Sequence, residues 1–473
     1  MSNPIASPQK KLFKNTILFS IGSFGSKLLT YILVPFYTSI LTTKQYGICD
    51  TIITTVSLLY PILSFSISEA VFRFSIDKKA LSMKYLKIGL IFSLFGIAIV
   101  LLGLPLLGFF NELSPYKLLF LFYFASITIY TLFSQYSKGI DKTKEYAVSG
   151  LLVTLVTLTL LILLLRFLNA GIYGFLAAYV AGNCIGILYL FFACRIHRNF
   201  FKTTSLDRDT VKMMLLYSIP IIPNAASWWI STSSDKYFLN YFCDYSTTGI
   251  YSIAYKIPSL MTLLTGLFLS AWQITSAEEY GKHDEMFGSI YSKFLTILIC
   301  IVGLIIPFTK IISSLMFSND FYMAWEYVPV LLFAYIFHDL SAYLGSISTA
   351  SKKTKTLFVS TLIGAILNIV LNLLLIPYLG AFGAAIATLL SYALVWIFRV
   401  FDSKKRVAIH YSFLIHAGDF AILTLQIICV FIGGVFFFIL SFVLYLLLIV
   451  INAKSLRSLF VGARNVLKKR NMY

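Results

Sequence analysis

Apolar residues in this chain come in long, nearly unbroken runs rather than in alternation or single-face stripes. Fourteen such windows cover 16–40, 48–70, 86–110, 116–136, 147–167, 172–193, 214–241, 247–273, 291–315, 327–349, 357–377, 381–400, 413–432 and 434–451 of the 473 residues. A helix of about 20 apolar residues crosses the hydrocarbon of a bilayer and satisfies every backbone group internally. The pattern therefore predicts an all-α polytopic membrane protein with about 14 transmembrane helices. Connections are short, and the longest, Arg195 to Lys212, has no room for a soluble domain. The polar start, Met1 to Lys14, leads straight into a full-length run, so no cleavable signal peptide is expected.

The placement of lysine and arginine orients these runs. Of 38 such residues, 31, with Arg399 at the end of run 381–400 among them, are counted with the even-numbered connections and the two ends. Four, Lys44, Lys117, Arg166 and Lys310, lie in odd-numbered connections, and three, Lys27, Lys236 and Lys256, lie inside runs. Basic residues concentrate on the cytoplasmic side, which predicts an even number of spans and both termini in the cytoplasm. The formal charge of +19 thus reflects topology and attraction to anionic lipid, not a nucleic-acid footprint.

Weak repeats recur in one order. Residues 41–48 resemble 243–250, Gly171-Ile172-Tyr173-Gly174 resembles Gly380-Ala381-Phe382-Gly383, and Lys142-Thr143-Lys144 resembles Lys353-Thr354-Lys355. The offsets are 202, 209 and 211 residues, six runs apart, so the halves would be parallel. The expected organisation is a six-helix half at 1–200, a second at 201–408, and two added helices with a basic tail at 409–473. Two parallel halves are the plan of alternating-access transporters.

Composition removes several classes. The chain is 59% hydrophobic and 12% charged, with mean hydropathy +0.86, which no soluble protein of this length matches. Its six cysteines are scattered without CxxC or metal-ligand spacing, so no metal or other cofactor is expected. No GxxxxGK[ST] loop is present, so this chain would not hydrolyse ATP, and an enzymatic role is not expected.

Chemistry is sought where polar groups interrupt apolar runs, because an intramembrane charge is costly. Asp235 and Lys236, both candidate substrate-binding residues, lie inside run 214–241 and point about 100° apart on a helix, so each needs its own partner. Lys27, Lys236 and Lys256 belong to the opening runs of the two halves. Three ammonium groups lining a cavity suit an anionic, phosphate-bearing substrate. Glu69 and Arg73, four apart, read either as a helix-end ion pair or as an arginine at the inner mouth. Trp228 and Trp229, shortly before Asp235, read either as part of the lipid-facing and interfacial aromatic content or as a stacking face for a sugar ring. His338, Asp339 and Asp419 are candidates for proton or ion coupling, with helix–helix hydrogen bonding as the alternative. Pro220, Pro223 and Pro258 are candidate kinks.

Residues 234–239, Ser-Asp-Lys-Tyr-Phe-Leu, followed by Gly249-Ile250-Tyr251-Ser252-Ile253-Ala254-Tyr255, resemble the pattern of Wzx-type oligosaccharide flippases. Tyr46-Gly47, Glu69 to Phe74, and Asn368 to Ala385 fit the same family, the last being shared with multidrug exporters and lipid II flippases. The resemblance covers nearly the whole chain and implies a MATE-like fold. It implies a transporter that moves undecaprenyl-diphosphate-linked repeat units outward for capsule, O-antigen or exopolysaccharide synthesis in a bacterial cytoplasmic membrane. A polysaccharide polymerase, chain-length proteins and membrane lipids would be its partners. Lys27, Arg73, Lys236 and Lys256 would receive the diphosphate, and the last two spans would form a groove for the lipid tail. Lys236 stands where the family often has arginine, which removes bidentate phosphate geometry. A cation-coupled drug exporter is the alternative, although cavity lysines disfavour it. A membrane polysaccharide polymerase is disfavoured by outer loops that carry only one arginine, Arg166.

Overall fold

The computed structural model describes residues 30–200, 207–351, 353–407 and 413–458. Among these residues the chain is helical throughout, with no strand. The helices that matter below are α1 (Val34–Ile40), α2 (Thr43–Leu63), α3 (Ile67–Asp77), α4 (Ser82–Gly103), α5 (Lys117–Gly139), α6 (Thr143–Ile162) and α7 (Gly171–Ala193). They are followed by α8 (Arg208–Ser218), α9 (Ile221–Ser233), α10 (Asp235–Phe242), α11 (Tyr245–Ala254), α12 (Lys256–Glu279), α13 (Asp284–Ile305) and α14 (Thr309–Met316). The chain continues with α15 (Val328–Ala350), α16 (Thr354–Lys404), α17 (Phe413–Ile432) and α18 (Gly434–Ile451).

Eleven helices are long and apolar enough to cross a membrane among the described residues, which makes this a multi-pass membrane protein. Thr30–Ile40 and His416–Ile432 are shorter apolar helices, and Gly380 divides α16 in two, an arrangement compatible with fourteen spans. At Gly380 the backbone takes φ 55° and ψ −137°, a region open to glycine and closed to residues with a Cβ. The two arms of α16 fold back as a hairpin. A Cβ on Gly383 would lie 2.7 Å from the Leu375 carbonyl, and one on Gly364 would lie 2.3 Å from Val395.

Several expected spans are interrupted. Run 48–70 divides into α2 and α3 at Ser64–Ser66, where Phe65 and Ser66 adopt left-handed φ of 56° and 49°. Run 214–241 is three helices. Pro220 and Pro223 cannot donate to the carbonyls of Leu216 and Ile219, and the helix is interrupted at 219–220. It is distorted again at Ser234, and run 247–273 is distorted at Tyr255. Both residues keep right-handed φ and ψ, so these are irregular turns within a continuing path. At Tyr255 the cause is Pro258, which withholds a hydrogen bond from the Ala254 carbonyl.

The chain divides into two compact units, Met1–Trp229 and Ile230–Tyr473. The division falls within α9. In the first unit, Ile67, Val71, Leu86, Ile88 and Leu132 form a buried core. In the second, α15 is the most enclosed of the spanning helices among the described residues, buried along nearly its whole length.

Candidate functional site

The polar centre of the second unit is the carboxylate of Asp235, which is 1% exposed. Four side chains donate to it. Tyr251 and Tyr255, one helical turn apart around the Pro258-induced distortion, place hydroxyls 2.9 and 3.1 Å from Oδ2. Thr388 Oγ1, on the second arm of α16, donates to the same oxygen at 2.8 Å. Asn372 Nδ2, on the first arm, donates to Oδ1 at 2.9 Å. The α16 hairpin is what sets Asn372 and Thr388 opposite one another. Asn368, one turn before Asn372, accepts from Asn372 Nδ2 at 3.1 Å and from Ser234 Oγ at 2.8 Å.

Four donors from three helical segments, α11 with its C-cap Tyr255 and the two arms of α16, therefore converge on one buried acid. Two buried polar atoms at its edge, Asn372 Oδ1 and Asn368 Nδ2, have no hydrogen-bond partner. The cluster is rich in oxygen but holds a single carboxylate. No group of three or more His, Cys, Asp and Glu able to hold a metal ion is found among the described residues. Chemically, such a cage can exchange one of its donors for a proton or a monovalent cation.

A second buried acid, Asp339 on α15, is 0% exposed. Thr265 of α12 donates to its Oδ2 at 2.7 Å, and His338 Nδ1 lies 2.9 Å from its Oδ1. His338 packs against the rings of Tyr335 and Tyr392 at 5.3 Å each, and the buried Tyr392 hydroxyl has no hydrogen-bond partner. A third acid, Asp419 on α17, accepts from Asn452 Nδ2 at 2.9 Å and lies 3.6 Å from His416 Nδ1. Asn452 also accepts from Thr296 of α13, so Asn452, at the end of α18, links Asp419 of α17 to α13.

The remaining sequence candidates belong to both units. Lys27 lies outside the described residues. Lys236 and Lys256 are partly buried, the first on α10 and the second opening α12 beside Tyr255. Glu69 and Arg73 do not pair, contrary to one expected reading. Arg73 is half exposed and binds Asp77 at 2.8 Å, while Glu69 accepts from Gln135 Nε2 of α5 at 2.6 Å. The reason is that each has a partner in better reach than the other. Trp228 and Trp229 are partly buried, and the Trp229 indole N–H donates to the Thr54 carbonyl at 3.0 Å and to Ser57 Oγ at 3.2 Å.

Sequence reasoning missed Arg399. It counts naturally with a cytoplasmic connection, yet it is 4% exposed. Its guanidinium donates through Nε to Ser360 Oγ (3.0 Å), through one terminal nitrogen to the Ser341 carbonyl (2.7 Å), and through the other to Thr361 Oγ1 (3.0 Å). The signal was its place inside the apolar run 381–400. The partners of Asp235 were missed as well, although Tyr251/Tyr255 and Asn368/Asn372 are polar pairs at helical spacing in apolar surroundings.

Against known families, residues 12–273 match the model of polysaccharide biosynthesis proteins, residues 220–374 match MatE, and residues 349–454 match the lipid II flippase MurJ. An uncharacterized membrane protein of Methanocaldococcus jannaschii is 23% identical over 84% of this chain and 99% of its own length. A probable low-salt glycan biosynthesis flippase, Agl15 of Haloferax volcanii, is 22% identical over 45% of this chain and 46% of its own. Among solved structures, lipid II flippase MurJ in an inward closed conformation superposes with a TM-score of 0.69. That match has 16% identity and covers 94% of this chain and all of that one.

Proposed function

From this chain's membership of the polysaccharide biosynthesis protein family, within the superfamily of multidrug, oligosaccharidyl-lipid and polysaccharide exporters, we propose that it flips lipid-linked oligosaccharides across its membrane. The substrate would be a polyprenyl-diphosphate-linked repeat unit, undecaprenyl in a bacterial cytoplasmic membrane, moved outward by alternating access. Capsule, O-antigen and exopolysaccharide are the polymers such a unit serves, with a polymerase and chain-length proteins acting on the product.

The observation that carries this reading is the family match over 12–273, more than half of the chain, supported by the MurJ model over 349–454. The residues fit an anionic head group: Lys27, Arg73, Lys236 and Lys256 supply its cationic partners, and Trp228 and Trp229 supply aromatic faces for sugar. Trp229 does so with its indole N–H already anchored on α2. Asp235 is given a different task from substrate contact. Enclosed by four donors, it holds α10, α11 and the α16 hairpin together and exchanges a proton or monovalent cation as the transporter turns over. Asp339 with His338, and Asp419, are secondary coupling candidates. One observation favours a second reading, a cation-coupled drug exporter: the MatE match at 220–374 contains both Asp235 and Asp339.

The test is transfer of a polyprenyl-diphosphate oligosaccharide across proteoliposomes. Transfer by wild type that is lost in Lys27→Ala/Lys256→Ala, with unfolding unchanged, supports both reading and site. Transfer that survives the double substitution removes those lysines from the site. Absence of any glycolipid transfer, with efflux of a cationic dye, replaces the reading by the exporter.

A further inference from the structure

Helices α12 and α13 leave an apolar groove of about 380 Å³ between them, within the second unit. Leu264 and Phe268 of α12 face Ile297 and Ile301 of α13 across it. The stacked rings of Phe268 and Phe294, with centroids 4.7 Å apart, stand in the wall. Two polar residues line it, Thr265 and Lys293. Lys293 is the charged one, and it makes no hydrogen bond or ion pair among the described residues. From Lys293 to Ile301 the groove runs along about 12 Å of helix.

An ammonium in apolar surroundings without a carboxylate calls for an anion brought from outside the protein. The groove beside it calls for a hydrocarbon chain that extends along the helix from that anion. One molecule joins both features: an amphiphile with a phosphate at one end and an aliphatic chain at the other. We infer that the groove between α12 and α13 binds an anionic phospholipid of the bilayer, with its phosphate on Lys293 and one acyl chain over Leu264, Phe268, Ile297 and Ile301. A single ammonium matches the one charge of a phosphodiester. The diphosphate of a glycan carrier brings further negative charge that this groove does not meet. The Lys293 position, about 13 Å from the start of α13, suits a side chain that snorkels to the head-group level.

The site has a route to the buried acids. Thr265 lines the groove on one side of α12 and donates to Asp339 Oδ2. A chain seated in the groove braces the turn of α12 that presents this hydroxyl, so lipid occupancy and the Asp339–His338 pair are held by the same turn.

The experiment is native mass spectrometry of the purified full-length protein, titrated with phosphatidylglycerol, with phosphatidylcholine of the same acyl chains, and with a polyprenyl monophosphate. Wild type is expected to retain phosphatidylglycerol about fivefold more tightly than phosphatidylcholine, the scale of one lysine–lipid attraction. Lys293→Gln should abolish the preference and Lys293→Arg should keep it. Leu264→Trp, which fills the groove without touching the charge, should weaken retention of both phospholipids and decides the matter if Lys293→Gln does not fold. An unchanged preference in Lys293→Gln, unchanged retention in Leu264→Trp, or displacement of phosphatidylglycerol by polyprenyl phosphate at equal concentration would each overturn the inference. Lipid retention is read without transport, so this result stands apart from the fate of the flippase reading.

Discussion

Replacing Asp235 separates its structural from its transport role, because two substitutions remove different numbers of its hydrogen bonds. Oδ2 accepts from Tyr251, Tyr255 and Thr388, and Oδ1 accepts from Asn372. In Asp235→Asn the amide oxygen can turn to the three hydroxyls, leaving one donor–donor conflict at Asn372. Turning the Asn372 and Asn368 amides together relieves that conflict, because Asn368 Nδ2, which has no partner, can then donate to Asn372 Oδ1 while the Ser234 hydroxyl turns to accept. In Asp235→Leu all four donors lose their acceptor. Hydrogen bonds to charged groups in water-soluble proteins are worth about 1.5–3 kcal/mol each, which would put the loss at roughly 6–12 kcal/mol. The membrane value, averaging about 0.6 kcal/mol per polar contact, gives roughly 2.4 kcal/mol. The smaller figure governs here because the donors have second partners at hand. Tyr251 and Tyr255 lie 3.2 Å from one another, Tyr255 lies 3.3 Å from Thr388, and Asn372 already reaches Asn368. The expectation is a cost of about 2–3 kcal/mol for Asp235→Leu and under about 1 kcal/mol for Asp235→Asn. Denaturant titration of the full chain in mixed micelles, followed by tryptophan fluorescence, measures both. Equal costs for the two substitutions, within about 0.5 kcal/mol, would refute the hydrogen-bond account. Transport then adds the second readout: loss of transfer in a well-folded Asp235→Asn protein is expected if the carboxylate exchanges a proton or cation, and retention is expected if it only holds helices.

Two further substitutions probe the scaffold around the site. Arg399→Lys keeps the charge but lacks the fork that reaches Ser360, Ser341 and Thr361 together, and should cost about 1–2 kcal/mol in the same titration; an unchanged midpoint would mean the fork is dispensable. Gly383→Ala drives a Cβ to within 2.7 Å of the Leu375 carbonyl, a backbone atom that cannot step aside, and should cost about 1–3 kcal/mol, whereas Gly266→Ala, with nothing within 4 Å, should be neutral or stabilising by up to about 1 kcal/mol. Similar outcomes for the two glycines would count against the close approach of the α16 arms.

What the sequence could reveal followed from which forces act locally. Membrane spans were legible because hydrocarbon enforces long apolar runs, and the interruption at 219–220 was legible because Pro220 and Pro223 announce it. The distortion at Ser234 has no proline or glycine beside it, and nothing in its immediate sequence accounts for it. Asp235 was legible as a costly charge in an apolar run, but its task was not. Its partners lie 16, 20, 137 and 153 residues away, and only the α16 hairpin brings the last two together. Arg399 was misread for the opposite reason: positive-inside bookkeeping assigns any arginine near the end of a run to the aqueous side, and it is blind to hydroxyl and carbonyl acceptors that make burial tolerable. The two cases share a cause. An isolated charge in a span says that a partner must exist, and the chemistry of that partner decides between function and scaffold. For Asp235 the partners are neutral donors that can be exchanged one at a time, which is compatible with coupling. For Arg399 they include a backbone carbonyl that cannot leave, which marks the residue as a clasp between α15 and α16. Polar pairs at helical spacing within apolar runs, such as Tyr251/Tyr255 and Asn368/Asn372, are therefore the signal to weigh beside the charge itself.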